Sequence, residues 1–517
     1  MSERIQHHDD GITMTARRSK PGSVPGVPVM REDVRVVPRT RAQAGRFARR
    51  HGWFLGLLAL GAALRVVAML GYRPALWFPD TYTYVVTVFR PRPDLVRPAG
   101  YSAFLKLLEP LHAFGLVVAV QHLLGLAVGV LIYRAALRWG RRGWVAVLAS
   151  APVLLDAYQI ELEHLLVSDT LFMFLVVLAV VLSLAERPKV VAIGLLLAAA
   201  TLTRTVGQPL ILLLVAWFVL RRRLRPAGVL LVAALVPVVA YGAWFYTTYE
   251  RVGLVGANGV FLYARTMSFA DCARMDPPAD LRVLCDSRPP EQRPPSQEYV
   301  WAKDAPLPAL PGISFTAETD ALAGRFAALA IRTQPLDYAA SVLSELGRSF
   351  VWGRPVYPDQ EIYDYYQFPA IPPGPPGRHE ARLGVDLAQR YEQGPIGTRI
   401  AEPYAGWMRA YQGWARLPGT VLLAVLLLPP ALAARRRCLR HHQAGGPRPA
   451  GGPPRRAVAP WLAPWSVSVV LLITPAAAAE FDYRYVLPAV PLACLAAALA
   501  SRNRKELPED IPRNVQI

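Results

Sequence analysis

Long apolar segments alternate with short polar connections along most of the 517 residues of this chain. A segment of close to 20 apolar residues matches the hydrocarbon core of a bilayer, which is about 30 Å thick. The pattern therefore predicts an all-α polytopic membrane protein with about ten transmembrane helices. The predicted spans are residues 53–71, 114–137, 144–157, 166–185, 190–203, 206–220, 228–248, 417–434, 461–479 and 486–500.

Basic residues cluster on alternate connections between these segments. The clusters lie at residues 46–50, 138–142, 187–189, 221–225, 435–440 and 502–505. By the positive-inside rule, these connections and both termini are expected to face the cytoplasm. The opposite, extracytoplasmic face would then carry residues 72–113, 158–165, 204, 249–416 and 480–485.

Composition agrees with a membrane protein. Hydrophobic residues make up 53% of the chain and charged residues only 18%, whereas charged residues approach a quarter of a typical soluble protein. The net charge of +20 lies at the ends of apolar segments and not on a face with interleaved aromatic residues, so we expect no nucleic-acid partner. The abundance of Arg, Ala and Pro suggests a GC-rich bacterium, and thus a bacterial plasma membrane.

The same pattern divides the chain into five regions. Residues 1–50 are predicted to be a disordered basic cytoplasmic tail, because they are polar and rich in Pro and Gly. Residues 51–248 would form a transmembrane core with a catalytic first outer loop at 72–113. The other regions are an extracytoplasmic segment at 249–416, C-terminal helices at 417–500 with a cytoplasmic loop at 435–457, and a cytoplasmic tail at 501–517.

The outer segment 249–416 is rich in Pro, Trp and Tyr and predicts a mixed, irregular domain. The apolar spacing within residues 320–333 and 335–350 is compatible with helices lying on the membrane surface. Cys272 and Cys285 both fall in this segment. Disulfides form outside the cytoplasm, so we expect these two cysteines to be joined.

Asp80 stands a few residues beyond the first apolar segment, among aromatic residues that suit the headgroup level of a membrane. Two interpretations are open and compatible. Asp80 could cap a short helix over residues 82–89, or it could be a catalytic carboxylate.

Two arginines are expected to lie at membrane depth. Segment 190–203 is about 21 Å long at 1.5 Å per residue, which places Arg204 below the outer surface. A charge there costs about 2.5–3.5 kcal/mol unless it has a partner or a wet cavity; the alternative is snorkelling to the headgroups. Arg484 follows another short span and either dips inward in the same way or pairs with Asp482.

A polar stretch at residues 156–169 carries Glu161, Glu163, His164 and Asp169. If it is helical, Glu161, His164 and Ser168 share one face. These groups could be acceptor-side residues, structural residues or metal ligands. Their spacing matches no defined ligand signature, so we expect no metal or other cofactor, with a divalent metal as the alternative.

One carboxylate and several arginines suit a group transfer in which a phosphate leaves. Such a reaction needs a base for the acceptor hydroxyl and cations for the developing phosphate charge, but no acid for the leaving group. Arginine fits the cation role because its planar fork matches phosphate.

The same residues resemble a known superfamily. Arg65 in the first span, Phe78-Pro-Asp80-Thr-x-x-Tyr84 and Arg97-Pro-x-Gly-Tyr101 resemble the first outer loop of bacterial GT-C glycosyltransferases that use polyprenyl-phosphate sugars. The superfamily includes protein mannosyltransferases, aminoarabinose transferases and cell-wall arabinosyltransferases. Later landmarks, which extend the resemblance over about half of the chain, are Ser168-Asp169-Thr-Leu-Phe172, Leu202-Thr-Arg204 and Asp482-Tyr-Arg484-Tyr485-x-x-Pro488.

The resemblance implies an inverting transferase with Asp80 as general base. It implies a phosphate-binding role for Arg204, with Arg484 and Arg97 as further candidates. The implied partners are a polyprenyl-phosphate-sugar donor, membrane lipids and an extracytoplasmic glycan, lipid or protein acceptor. Thr81 and Tyr82 follow Asp80 where some members have paired acids, which speaks against a metal-dependent mechanism. The candidate substrate-binding residues are Tyr82, Tyr101, Glu163, His164 and Asp169.

Two rival functions are a transporter or flippase of lipid-linked sugars and a non-catalytic membrane scaffold. Transporters often show internal symmetry and broken helices in matching halves, and no internal repeat is visible in this sequence. The expected charges at membrane depth also cluster toward one face. The sequence therefore favours the transferase.

Overall fold

A computed structural model describes residues 39–312, 314–375, 379–443 and 458–501. The chain divides into two compact units, Met1–Arg49 and Arg50–Ile517. In the first unit, the described residues 39–49 are helical. The predicted disordered tail at 1–50 is therefore wrong for residues 39–50, where Arg, Ala and Gln favour helix. Its remainder, residues 1–38, lies outside the described residues, as does the predicted tail beyond residue 501.

The described residues form twenty-one α-helices, one two-stranded sheet and six short 3₁₀ turns. The helices are α1 (Arg39–Gly71), α2 (Pro79–Phe89), α3 (Gly100–Leu108), α4 (Phe114–Arg138), α5 (Gly143–Leu155), α6 (Ala157–His164), α7 (Asp169–Ser183), α8 (Val190–Thr203), α9 (Gln208–Leu220), α10 (Leu224–Tyr249), α11 (Asn258–Thr266), α12 (Cys272–Met275), α13 (Glu298–Trp301), α14 (Ala317–Thr333), α15 (Pro335–Arg348), α16 (Gln360–Asp364), α17 (His379–Glu392), α18 (Tyr404–Gln412), α19 (Gly419–Gln443), α20 (Leu462–Ala478) and α21 (Val490–Ala500). Strands β1 (Tyr72–Arg73) and β2 (Arg399–Ile400) pair antiparallel.

Five described helical segments are long and apolar enough to cross a membrane. They are Arg50–Gly71, Phe114–Arg138, Leu224–Tyr249, Gly419–Leu439 and Tyr483–Ala500, and the bent pair α5 and α6 makes a sixth if it crosses as one span. All ten predicted spans are helical, but a count of ten is not confirmed. Helices such as α7 and α8, with 15 and 14 residues, are short for a 30 Å core. The chain is an all-α integral membrane protein.

The break between α5 and α6 has a local cause. Asp156 has extended backbone angles, and its Oδ1 accepts hydrogen bonds from the N–H groups of Tyr158 and Gln159, which caps α6. The two helices meet at an angle of 49°. Since α6 ends at His164, the predicted shared face of Glu161, His164 and Ser168 is wrong.

Helix α21 lies at the centre of the bundle. All eleven of its residues are buried, and five of them are alanine. Small side chains let neighbouring helices approach closely, and α4, α5, α19 and α20 all pack against it. Helix α19 continues to Gln443, so the predicted cytoplasmic loop at 435–457 begins later than expected, and residues 444–457 lie outside the described residues.

The segment between α10 and α19 is mostly short helices. The two predicted surface helices correspond to α14 and α15, and α14 buries Phe326 in a small core with Tyr263 and Tyr299. A disulfide joins Cys272 and Cys285 beside this core. Helix α17 packs on α2, and β2 pairs with the chain that follows α1. The segment therefore holds the start of α2 in place.

Candidate active site

A cavity of about 510 Å³ lies where the start of α2, the end of α8 and the turn after α20 meet. Residues of the outer segment, including those around α13, close its other side. The charged residues that line it are Asp80, Arg97, Arg204, Arg265, Glu298, Glu361, Glu480, Asp482 and Arg484. The structure thus brings the predicted base and all three predicted phosphate-binding arginines to one cavity.

Asp80 lies in the first turn of α2 and does not cap it. Phe78 is the N-cap residue, Pro79 is the first helical residue, and the Phe78 N–H donates to Thr81 Oγ1 over 3.1 Å. The predicted N-cap role of Asp80 is therefore wrong, because Phe78 occupies the N-cap position and Asp80 is the second residue of the helix. Asp80 instead accepts from Arg97 Nη2 through Oδ1 at 2.5 Å and from Arg484 Nη1 through Oδ2 at 3.3 Å.

These partners determine the charge of the carboxyl. Burial raises the pKa of Asp80, but the guanidinium groups of Arg97 and Arg484 outweigh burial and lower the pKa to about 2. The carboxylate is therefore ionised at neutral pH. Burial lowers the pKa of Arg97, and the Asp80 carboxylate more than reverses that effect.

Arg97 is positioned by the loop that follows α2. Asp94 Oδ1 accepts the backbone N–H groups of Val96 and Arg97, at 2.9 and 2.7 Å. The Tyr249 hydroxyl, at the end of α10, donates to the carbonyl of Pro93 at 2.5 Å. The loop is thereby fastened to α10, and Arg97 reaches back to α2.

Arg484 lies on the 3₁₀ turn Tyr483–Tyr485. Its N–H donates to Asp482 Oδ1 at 3.1 Å, and its Nε lies 3.2 Å from Asp482 Oδ2. The predicted Asp482–Arg484 pair is present, and the same guanidinium also reaches Asp80. The Tyr366 hydroxyl donates to Asp482 Oδ2 at 2.6 Å, so the outer segment helps to orient the pair.

Arg204 follows α8 and forms an ion pair with Asp169 in the first turn of α7. Its side chain is 18% exposed, so the partner predicted for an arginine at this depth is present and Arg204 does not extend outward as a snorkelling residue would. The guanidinium also lies 5.0 Å from the ring centroid of Tyr485. Arg204 therefore faces the cavity from a fixed position.

A second, largely apolar cavity of about 330 Å³ adjoins the first. The two share Arg204, Thr205, Ala479 and Tyr485 as lining residues. Side chains of α7, α9 and α20, such as Phe172, form its walls. Arg204 thus stands between a charged space and an apolar one.

Tyr82 and Tyr101 do not line the charged cavity. Tyr82 is buried and stacks on Trp77, with ring centroids 5.4 Å apart. Tyr101 is fully buried and donates to Gln121 Oε1 at 2.7 Å. Tyr84 does line the cavity, so the tyrosine of this loop that reaches the site is Tyr84.

Glu163 and His164 belong to a different cluster, away from the residues that line the charged cavity. Glu163 is fully buried and accepts from Arg65 Nε and Nη2, at 2.7 and 2.8 Å. His164 is also fully buried, with its ring nitrogens 3.1 Å from His122 and 2.7 Å from the carbonyl of Tyr72. Neither residue lines the cavity, and other protein groups occupy their polar atoms.

Sequence reasoning did not single out four charged residues of the cavity, which are Arg265, Glu298, Glu361 and Glu480. Arg265 on α11 is 1% exposed, and its Nε donates to the carbonyl of Ala476 at 2.9 Å; no pattern around it marked it out. Glu480 accepts the N–H groups of Ser296 and Gln297, at 2.9 and 3.0 Å. Burial raises the pKa of Glu480 to about 7. Its position in a predicted outer turn beside Asp482 was the one available signal.

The described residues contain no group of three or more His, Cys, Asp or Glu side chains arranged to hold a metal ion. The cavity offers one ionised carboxylate between two guanidinium groups, with further arginines and carboxylates around it.

No protein-family model matches the chain, and no curated protein matches it. Among solved structures, it is similar to two crystal structures of ArnT from Cupriavidus metallidurans. With the apo state it shares 16% identity and a TM-score of 0.29, over 87% of this chain and 76% of that one. With the form bound to undecaprenyl phosphate it shares 15% identity and a TM-score of 0.30, over 87% and 77%.

Proposed function

We propose that this protein is an inverting glycosyltransferase that moves a sugar from a polyprenyl-phosphate carrier to an acceptor outside the cytoplasmic membrane. The observation that supports the proposal is the position of Asp80 between Arg97 and Arg484, in a cavity that also contains Arg204. These are the groups that the reaction needs: a carboxylate base and cations for the leaving phosphate.

In this reaction the acceptor oxygen forms a bond to the anomeric carbon of the sugar while the bond from that carbon to the phosphate oxygen breaks. The acceptor hydroxyl proton passes to the Asp80 carboxylate. The electron pair leaves with the carrier phosphate, whose charge the guanidinium groups stabilise. No proton donor is needed for the leaving group.

A carboxylate with a pKa of about 2 is charged but a weak base, because an effective base has a pKa near the working pH. Donor phosphate would compete with Asp80 for Arg484 and Arg97. Loss of a guanidinium partner raises the pKa of a carboxyl. Donor binding would thus strengthen the base when the acceptor is needed.

The apolar cavity beside Arg204 suits the polyprenyl chain of such a donor. Apolar side chains from α7, α9 and α20, such as Phe172, Pro209 and Leu471, form much of its wall. It meets the charged cavity at Arg204 and Tyr485. A chain lying there would place its phosphate at Arg204. On the far side, Glu361 and Glu480 offer acceptors for sugar hydroxyl groups.

The face of the membrane follows from the charges on the connections. Arg204 and Arg484 lie at the helix ends opposite to the basic clusters at residues 138–142 and 221–225. The positive-inside rule assigns those clusters to the cytoplasm, so the cavity would face outward, with donor and acceptor both presented on that side.

Transfer by the purified protein, with a radiolabelled polyprenyl-phosphate sugar as donor, tests the proposal. Asp80→Asn keeps the size of the side chain and removes the base, so we expect transfer to fall by roughly 10²–10⁴-fold while donor binding persists. Asp276→Asn, at an 89% exposed aspartate, is the control and should keep full activity.

Two results would overturn the proposal. Unchanged transfer by Asp80→Asn would remove Asp80 as the base. Passage of the intact donor across proteoliposomes without acceptor, together with no transfer to any acceptor, would favour the transporter.

A further inference from the structure

A separate cavity of about 410 Å³ lies on the other side of the turn that carries Arg484. Asp482 and Arg484 face the candidate active site, whereas Tyr483 lines this separate cavity of about 410 Å³. Its charged lining residues are Asp156, Arg348, Arg354 and Arg416. Three guanidinium groups therefore share the cavity with one carboxylate.

The single carboxylate can neutralise only one of them. Asp156 Oδ1 accepts from Tyr158 and Gln159, and its Oδ2 accepts the N–H of Leu417 at 2.7 Å. It forms an ion pair with Arg354 at 3.8 Å, which is too long for a hydrogen bond. Arg348 is paired with Glu345, which lies outside the lining, at 3.2 Å. The described lining residues still carry a net positive charge, and Arg416 has no carboxylate partner among them.

Arg354 is held rigidly in this position. Its guanidinium lies 3.9 Å from the ring centroid of Tyr158 and 5.9 Å from that of Tyr483. The side chain is 12% exposed, and its Nη1 has no hydrogen-bond partner among the described residues. Buried guanidinium groups normally have their donors satisfied, so Arg354 retains capacity to bind an anion.

The surroundings are those of a membrane interface. The cavity reaches Leu422 on α19 and Val490 on α21, both in candidate spans. Trp352 and Trp414 also line it and are 70% and 75% exposed. Exposed tryptophans at the ends of apolar helices are typical of the headgroup level of a bilayer.

We propose that this cavity binds the phosphate headgroup of an anionic phospholipid, with the acyl chains against the first turns of α19 and α21. A free anion would use the arginines but leave the apolar walls and the two tryptophans uncovered. Arginine recognises phosphate through its planar fork. The site is distinct from the proposed transferase centre and does not depend on it.

Native mass spectrometry of the full chain in detergent tests the proposal with phosphatidylglycerol and phosphatidylcholine as probes. We expect wild type to retain phosphatidylglycerol roughly tenfold more strongly than phosphatidylcholine, and the double variant Arg354→Gln/Arg416→Gln to lose that preference, because charge-assisted hydrogen bonds are lost. The control is Arg274→Gln/Arg325→Gln, at two exposed arginines that have single aspartate partners. It should behave as wild type.

The thermal midpoint of each variant checks its folding. If the double variant is unstable, Arg416→Gln alone is the test variant. Among the described residues Arg416 contacts no aromatic ring, and its Nε donates to the carbonyl of Gln412. This variant should weaken retention by several-fold. Equal retention of both lipids by wild type, or unchanged preference in folded cavity variants, would overturn the proposal. Full displacement of the lipid by equimolar inorganic phosphate would show a site for free phosphate instead. None of these measurements requires transferase activity.

Discussion

At the scale of single residues, the ionised state of Asp80 depends on two arginines that lie 17 and 404 positions away along the chain. Arg97 belongs to the same loop as Asp80. Arg484 reaches Asp80 because Asp482 orients the turn that carries Arg484. A local sequence pattern can therefore identify Asp80 and its loop. The contact of Asp80 with Arg484 depends instead on how the last helices pack.

Glu480 is expected to make stability depend on pH. Burial raises the pKa of its carboxyl from the ordinary value of 4.5 to about 7, so the folded protein holds a proton that the unfolded chain releases between those values. The protonated carboxyl therefore adds to the free energy of unfolding. This contribution is at most about 3 kcal/mol; it is fully present below pH 4.5 and is lost as the pH rises through 7. We predict that the thermal midpoint of Glu480→Gln changes less between pH 5 and 8 than that of wild type.

The control for this prediction is Glu291→Gln, at an exposed carboxyl, which should keep the pH profile of wild type. Parallel profiles for wild type and Glu480→Gln would contradict the prediction, since they would mean that Glu480 titrates alike in the folded and unfolded states.

Glu163 is expected to act through stability. Its carboxylate is paired with Arg65, and both side chains are at most 2% exposed. Removing one member of a buried pair leaves an uncompensated charge, which costs about 3–5 kcal/mol. We predict that Glu163→Gln lowers the thermal midpoint sharply and that Arg65→Met in addition restores part of it.

A substrate-binding role for Glu163 predicts a different result. In that case Glu163→Gln would reduce transfer with an unchanged thermal midpoint, and Arg65→Met would restore nothing. Measuring the midpoint and the transfer rate on the same preparations separates the two roles.

At the scale of elements, apolar runs predicted where helices form, because each run must bury its side chains or face lipid. Their ends were harder to predict. Helix α1 begins at Arg39, since helix-forming polar residues extend it beyond the apolar run. The break before α6 depends on Asp156 also bonding Leu417, which is a tertiary contact. The pairing of Arg204 with Asp169 likewise requires α7 and α8 to pack together, although a partner for Arg204 was expected.

The packing of α17 on α2 is expected to hold Asp80 in place. Gly384 of α17 lies so close to α2 that an added Cβ would come within 2.8 Å of the Cα and carbonyl oxygen of Tyr82. Backbone atoms cannot yield as a flexible side chain does. We predict that Gly384→Ala shifts α2 and lowers transfer by roughly 10²-fold, since misplacing a catalytic group by about 1 Å has an effect of that size.

Gly347→Ala is the matched control. Gly347 also lies in a helix, α15, but no atom lies within 4 Å of the position of its added Cβ. This change should leave transfer intact and stabilise the helix by up to about 1 kcal/mol. Equal activity of the two variants would show that α17 does not position Asp80.

At the scale of the whole molecule, every arginine around Asp80 lies on one side of the apolar bundle, at the helix ends opposite to the basic clusters. The alternation of these clusters was visible in the sequence, as was the order of the motifs. The enclosure of the cavity by the outer segment was not, because that segment is built from short helices held by long-range contacts such as Tyr366 with Asp482. The basic clusters predict that the cavity lies on the extracytoplasmic face of the membrane.

Single cysteines introduced on the two faces test this orientation. With Cys438 and Cys494 replaced by Ser and the disulfide left in place, Ser287→Cys reports on the outer segment and Glu186→Cys on the connection between α7 and α8; both positions are exposed. The positive-inside rule assigns Arg187 and Lys189 to the cytoplasm. We predict that a membrane-impermeant maleimide labels Ser287→Cys on intact cells and labels Glu186→Cys only after permeabilisation. The reverse pattern would place Asp80 on the cytoplasmic face, where a donor presented outside the membrane cannot reach it.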